Sequence, residues 1–142
     1  MMNLSKALQP YNLADVADIT ITPDVFSVKV IEMNRGSQQF NARVSDFSKL
    51  QPEHSVFKGD ASLTFWTDIQ KGAVTPETLS ILVNVLIVDW SLKDDDGKPV
   101  EFTPETAMEI FTGFSRVANK LLLAVQQPSF FTREWPQDAL KN

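Results

Sequence analysis

Cysteine is absent from this 142-residue chain, and histidine occurs once. Without cysteine there is no thiol nucleophile, disulfide, iron–sulfur ligation or thiolate zinc site. A lone His54 builds no histidine cluster for a metal either. Basic charge is also scarce: 13 Lys and Arg face 18 Asp and Glu, a formal net charge of −5. That is the wrong sign for a protein that grips the phosphate backbone of nucleic acid. No apolar run reaches the roughly 20 residues of a membrane helix; the strongest, Leu79 to Val88, is about half that length and contains Asn84. Lys6 and Gln9 interrupt the N-terminus where a signal peptide would need its apolar core. A cytoplasmic protein without membrane or nucleic-acid partners is expected.

What is present suits one packed domain over 1–142. The composition is 43% hydrophobic, with ten Phe and three Trp. A chain of this length builds a single core and buries roughly two thirds of its unfolded surface. Residues 1–17 read as an N-terminal arm and 128–142 as an extended C-terminal tail.

The first half reads β. Asp18-Ile19-Thr20-Ile21-Thr22 alternates apolar and polar until Pro23-Asp24 breaks it, and Phe26-Ser27-Val28-Lys29-Val30 alternates again. Ile31-Glu32-Met33 continues on the opposite parity, which implies a bulge or a two-sided strand. Asn34-Arg35-Gly36-Ser37 carries turn residues, and Gln39 to Val44 alternates once more, so a hairpin centred near Arg35-Gly36 is expected.

The second half reads α. Asp60 is a candidate cap for a helix from Ala61 to Lys71, with Leu63, Trp66 and Ile69 as its apolar face and Gly72 as its stop. Thr75-Pro76-Glu77 and Thr103-Pro104-Glu105 each combine a capping hydroxyl with proline at the first helical position. After the first of them, helix is expected as far as Trp90, although many β-branched residues make a buried strand the competitor. After the second, Ala107, Met108, Ile110 and Phe111 precede Gly113, and Ser115 to Gln127 carries a broad apolar stripe stopped by Pro128. The expected class is therefore α+β: an N-terminal hairpin or small antiparallel sheet followed by about four helices.

Few residues suggest chemistry. If Gly97 in Asp94-Asp95-Asp96-Gly97 were the sixth position of an EF-hand, the first would be Leu92 and the twelfth Thr103, so the opening and the bidentate carboxylates are both missing. The run reads as a polar turn. His54 lies in a polar connection, with no Gly-x-Ser-x-Gly elbow or Gly-rich phosphate loop to support it, and reads as a solvated loop residue. Glu105 and Glu109 sit one turn apart on a predicted helix, as exposed helices commonly allow. No catalytic, cofactor or metal site is expected. Phe130, Phe131 and Trp135 lie in a Pro-broken tail, and either anchor a partner or fold back over their own core.

The ordered combination Trp90, Asp96-Gly97-Lys98-Pro99 and Phe102-Thr103-Pro104-Glu105 resembles the tail assembly chaperones of long-tailed bacteriophages and prophages. There a hydrophobic helix runs into Trp, an acidic Asp-Gly-Lys/Glu-Pro turn follows, and Phe-Thr/Ser-Pro-Glu opens the next helix. The resemblance covers roughly residues 75–131. It implies a non-enzymatic, cytoplasmic protein of the infected host that covers the helical tape-measure protein, helps recruit tail-tube subunits and is absent from the mature virion. A homo-oligomer is compatible with it. The matched residues Trp90, Asp96, Gly97, Pro99, Phe102, Thr103 and Pro104 look structural. The alternative is a structural tail protein of the virion.

Overall fold

The computed structural model describes residues 16–131. Two strands come first, β1 (Ala17–Thr22) and β2 (Phe26–Val30), followed by helices α1 (Gln38–Leu50) and α2 (Gly59–Gln70). A one-turn 3-10 helix, Ser55–Phe57, joins these helices. Helix α3 (Pro76–Ile81) widens into a π-helical stretch, Leu82–Leu86, that feeds strand β3 (Ile87–Trp90). Helices α4 (Pro104–Gly113) and α5 (Ser115–Ala124) follow, then a 3-10 turn at Pro128–Phe130. The class is α+β, with a three-stranded antiparallel sheet in the order β1-β2-β3.

The β1–β2 hairpin follows the alternation read from the sequence, with Ile19 opposite Val28 and Thr20 opposite Ser27. Asp24 adopts positive φ in the turn, at 61°, a conformation that Asp tolerates better than most residues. The hairpin expected at Arg35-Gly36 does not form, because residues 38–50 are helix α1. Ser37 caps it, its hydroxyl accepting from the Phe40 N–H at 3.3 Å. Phe40 and Val44 are four residues apart, a spacing that satisfies both a strand face and a helix face. Buried Phe47 fits the helical period. Ile31 leaves the β2 ladder and donates instead to the Leu86 carbonyl at 2.9 Å.

Residues 79–88 are neither all helix nor all strand. The capping box holds at the start, where Thr78 N–H donates to the Thr75 hydroxyl at 3.1 Å and Thr75 N–H to that of Thr78 at 2.9 Å. The β-branched end pairs as β3, with Val28 opposite Trp90 and Val30 opposite Ile87. The sheet is therefore completed from the middle of the chain. Arg43 secures the changeover: its guanidinium donates to the carbonyls of Val85 and Ile87, the latter at 2.9 Å. Helix α2 also departs from expectation, since Lys58 occupies the capping position and Asp60 falls in the first turn.

Buried apolar side chains from the sheet and from all five helices form one cluster that includes Val28, Phe47, Ile69, Leu86, Phe111 and Leu122. Leu63, expected in that core, is 73% exposed, while Phe65 and Ile69 carry the buried face of α2. Trp66 is half-buried beneath the Arg35 guanidinium, 4.9 Å from its ring centre. Val16 packs against the core and Ala17 begins β1, so these two do not belong to the expected N-terminal arm, the rest of which lies outside the described residues. Among the described residues, no helix is long and apolar enough to cross a membrane.

Candidate functional site

The segment that carries the family resemblance folds into a clasp. The Trp90 indole N–H donates to the Val100 carbonyl at 2.7 Å. Its ring meets Phe102 edge-on at 5.1 Å and Phe111 at 6.1 Å. Between these residues the chain makes a small hairpin, with Lys93 bridged to Pro99 and Val100 N–H on the Leu92 carbonyl. Gly97 takes φ +80° in the turn. The carboxylate that organises this turn is Asp94 rather than Asp96: its Oδ1 accepts from the N–H groups of Asp96 and Lys98, both at 2.9 Å. Sequence reading singled out the Asp-Gly pair and missed Asp94, although an Asp opening a turn is the signal for such a bond. Thr103 then caps α4 by accepting from the Thr106 N–H at 3.1 Å, with Pro104 at the helix start.

Beside this clasp lies an apolar groove of about 250 Å³. It is lined by Ile21, Thr22 and Phe26 around the hairpin turn, by Leu92, and by Ile110, Phe111, Phe114 and Val117 of the α4–α5 corner. Phe114 is 65% exposed, a large ring left in water where the two helices meet. Thr22 and Phe26 also border a more polar cleft lined by Asp24, Ser27, Ser91 and Lys93, so the apolar surface continues into a wettable one. Sequence reading did not find this groove, because its residues come from four elements and each alone looks like ordinary core.

The tail aromatics separate. Phe131 is fully buried, which removes it as a partner anchor and makes it a lid on its own core, whereas Phe130 is 47% exposed. Trp135 lies outside the described residues.

His54 is not the solvated loop residue expected from its polar neighbours. Its ring packs edge-on against Phe47 at 5.1 Å and Phe65 at 5.7 Å. Nδ1 accepts from the Val56 N–H at 3.1 Å and so caps the 3-10 turn. Desolvation holds its pKa below the ordinary value, opposed by the backbone and charge of Glu77. With Nδ1 committed to the backbone and Nε2 buried, the imidazole is poorly placed to take a proton from a substrate. A polar cleft of about 320 Å³ opens nearby, bordered by Ser55, Thr64, Asp68 and Glu77. Among the described residues, no group of three or more His, Asp or Glu is arranged to hold a metal ion. Glu105 and Glu109 are exposed on α4.

No family model matches this chain, and neither the curated proteins nor the solved structures contain a significant match to it.

Proposed function

We propose that this chain is a non-enzymatic tail assembly chaperone of a long-tailed phage or prophage, binding the tape-measure protein and helping tail-tube subunits assemble around it. One observation carries the reading: Leu92, inside the Trp90–Phe102 segment that bears the resemblance, lines an apolar groove completed by the hairpin and the α4–α5 corner. Long, amphipathic or apolar proteins aggregate unless their surfaces are covered, and a small acidic domain with such a groove provides that cover. The protein acts in the host cytoplasm and leaves before the virion is complete.

The competing reading, a structural tail protein, would favour polymerisation through the sheet. Lys120 weighs against it by donating to the Thr20 carbonyl on edge strand β1 at 2.9 Å, since a lysine laid on a strand edge discourages further pairing. Co-expression with the tape-measure protein tests the proposal: that protein should stay soluble and co-purify with this chain, and the chain should be missing from purified particles. Recovery of the chain in finished virions at structural stoichiometry would overturn it.

A further inference from the structure

We infer that the groove between the hairpin tip and the α4–α5 corner takes the apolar face of a basic amphipathic helix supplied by another protein. The inference rests on the chaperone reading for that protein's identity, and adds which surface binds it and what chemistry it selects.

The apolar part of the argument is the groove itself. Its lining is aliphatic and aromatic apart from Thr22, and it includes Phe114 at 65% exposure. A groove open along one side admits side chains spaced i, i+3, i+4 and i+7 on a helix, the common geometry for such a surface. Covering Phe114 would bring the favourable transfer free energy of a large ring.

The charge decides which helix. Residues 94–109 hold six of the chain's 18 acidic side chains and one of its 13 basic ones, so this segment alone accounts for the net charge of −5. All six carboxylates are exposed. Asp94, Asp95, Asp96 and Glu101 lie on the connection beyond Leu92, and Glu105 and Glu109 on the outward side of α4, whose Ile110 faces the groove. Against them stand three single basic side chains: Lys93 and Arg116, next in sequence to groove residues, and Lys120, held on the Thr20 carbonyl beside Ile21. The net charge of −5, carried by this exposed segment, favours the approach of a helix bearing Lys and Arg over an acidic helix of the same apolar pattern.

The probe is a pair of synthetic helices about 18 residues long, past the length at which isolated helices are marginal. Both carry Leu on one face, one with Lys and the other with Glu on the remaining positions, and affinity for the full chain is measured by calorimetry. The Leu/Lys helix should bind at least about tenfold tighter than the Leu/Glu helix. Phe114→Glu should weaken it by about tenfold or more, while Leu63→Glu, an exposed apolar site elsewhere, should leave it unchanged. A second variant, Asp95→Asn/Asp96→Asn/Glu105→Gln/Glu109→Gln, alters exposed side chains alone and should cut the preference between the two helices by at least about threefold. Equal binding of the two helices, or full affinity in a folded Phe114→Glu protein, would overturn the inference. Pull-down of the tape-measure protein separates the two ideas. If wild type and Phe114→Glu both retain it, the groove is wrong and the chaperone reading stands. If wild type does not retain it, the chaperone reading fails, and the peptide affinities still decide the groove.

Discussion

The Trp90 indole N–H reaches across the turn to the Val100 carbonyl, 2.7 Å away and ten residues on. That bond closes the segment on which the family resemblance depends, and it ties the edge of the sheet to the chain entering α4. Trp90→Phe keeps the ring contacts with Phe102 and Phe111 but leaves the Val100 carbonyl without its donor. It should cost about 1–2 kcal/mol, whereas Trp90→Ala also opens a cavity and should cost about 3–5 kcal/mol. Urea unfolding of the three proteins gives both numbers. A Trp90→Phe protein as stable as wild type would mean the hydrogen bond does nothing and packing alone holds the clasp, and equal losses for Phe and Ala would mean the reverse.

Two neighbouring carboxylates in the turn should behave differently. Asp94 accepts two backbone N–H bonds, and no hydrogen bond of the Asp96 carboxylate contributes to the turn. Asp94→Ala should lower stability by about 1 kcal/mol, as loss of a capping side chain does, and Asp96→Ala should change it by less than about 0.5 kcal/mol. Thermal melts at matched pH and salt would show the contrast, and reversed sensitivities would refute the assignment of the turn to Asp94.

Acid should loosen the α1–α2 junction through His54. Burial lowers the pKa of the folded imidazole from its ordinary value of about 6.5, so the unfolded chain binds this proton at a higher pH than the fold does. Stability from this group is therefore complete above the unfolded value and falls as pH drops from about 6.5 toward the folded value. Protonation also turns Nδ1 from an acceptor into a donor, which removes the cap on Val56 N–H. Phenylalanine cannot take up the proton, so His54→Phe should flatten this part of the stability–pH curve between about pH 5 and 7. An unchanged slope in the variant would assign the pH dependence to other groups.

How much of this was legible from sequence varies by element. The Thr75-Pro76 and Thr103-Pro104 starts were readable because capping is local: a hydroxyl, a proline and the next turn suffice. The alternation of β1 and β2 was readable for the same reason, although the hairpin was expected at Arg35-Gly36 and forms at the turn after Thr22 instead. Helix α1 was not, because Phe40 and Val44 fit two periods at once and the deciding contact, Phe47, lies one turn further on. Strand β3 was hidden because its hydrogen-bond partner is β2, about sixty residues earlier, and only that pairing lets the β-branched end of the Leu79–Val88 run overrule the helix begun at Thr75. The groove was least readable of all. Ile21, Leu92, Ile110 and Phe114 each have a local reading as core, and their shared exposure exists only after the hairpin tip is laid against the α4–α5 corner.

Gly72 and Gly97 both take positive φ, at 71° and 80°, yet they should not tolerate alanine equally. A Cβ at Gly97 would meet nothing within 4 Å, so Gly97→Ala carries only the left-handed backbone penalty of about 1–2 kcal/mol. At Gly72 the same atom would come within 2.7 Å of Asn119 Nδ2 and 2.9 Å of Leu123 Cδ2. Asn119 cannot swing away freely, because its amide donates to the Gly72 carbonyl at 2.7 Å and so pins the end of α2 to α5. Gly72→Ala should therefore cost about 1–3 kcal/mol more than Gly97→Ala, the range for forcing an extra methyl into a packed site. Adding Asn119→Ala should recover part of that excess, since it removes the nearest clash along with the bond. If the two glycine variants unfold at the same urea concentration, the contact between α2 and α5 is not the tight one seen here.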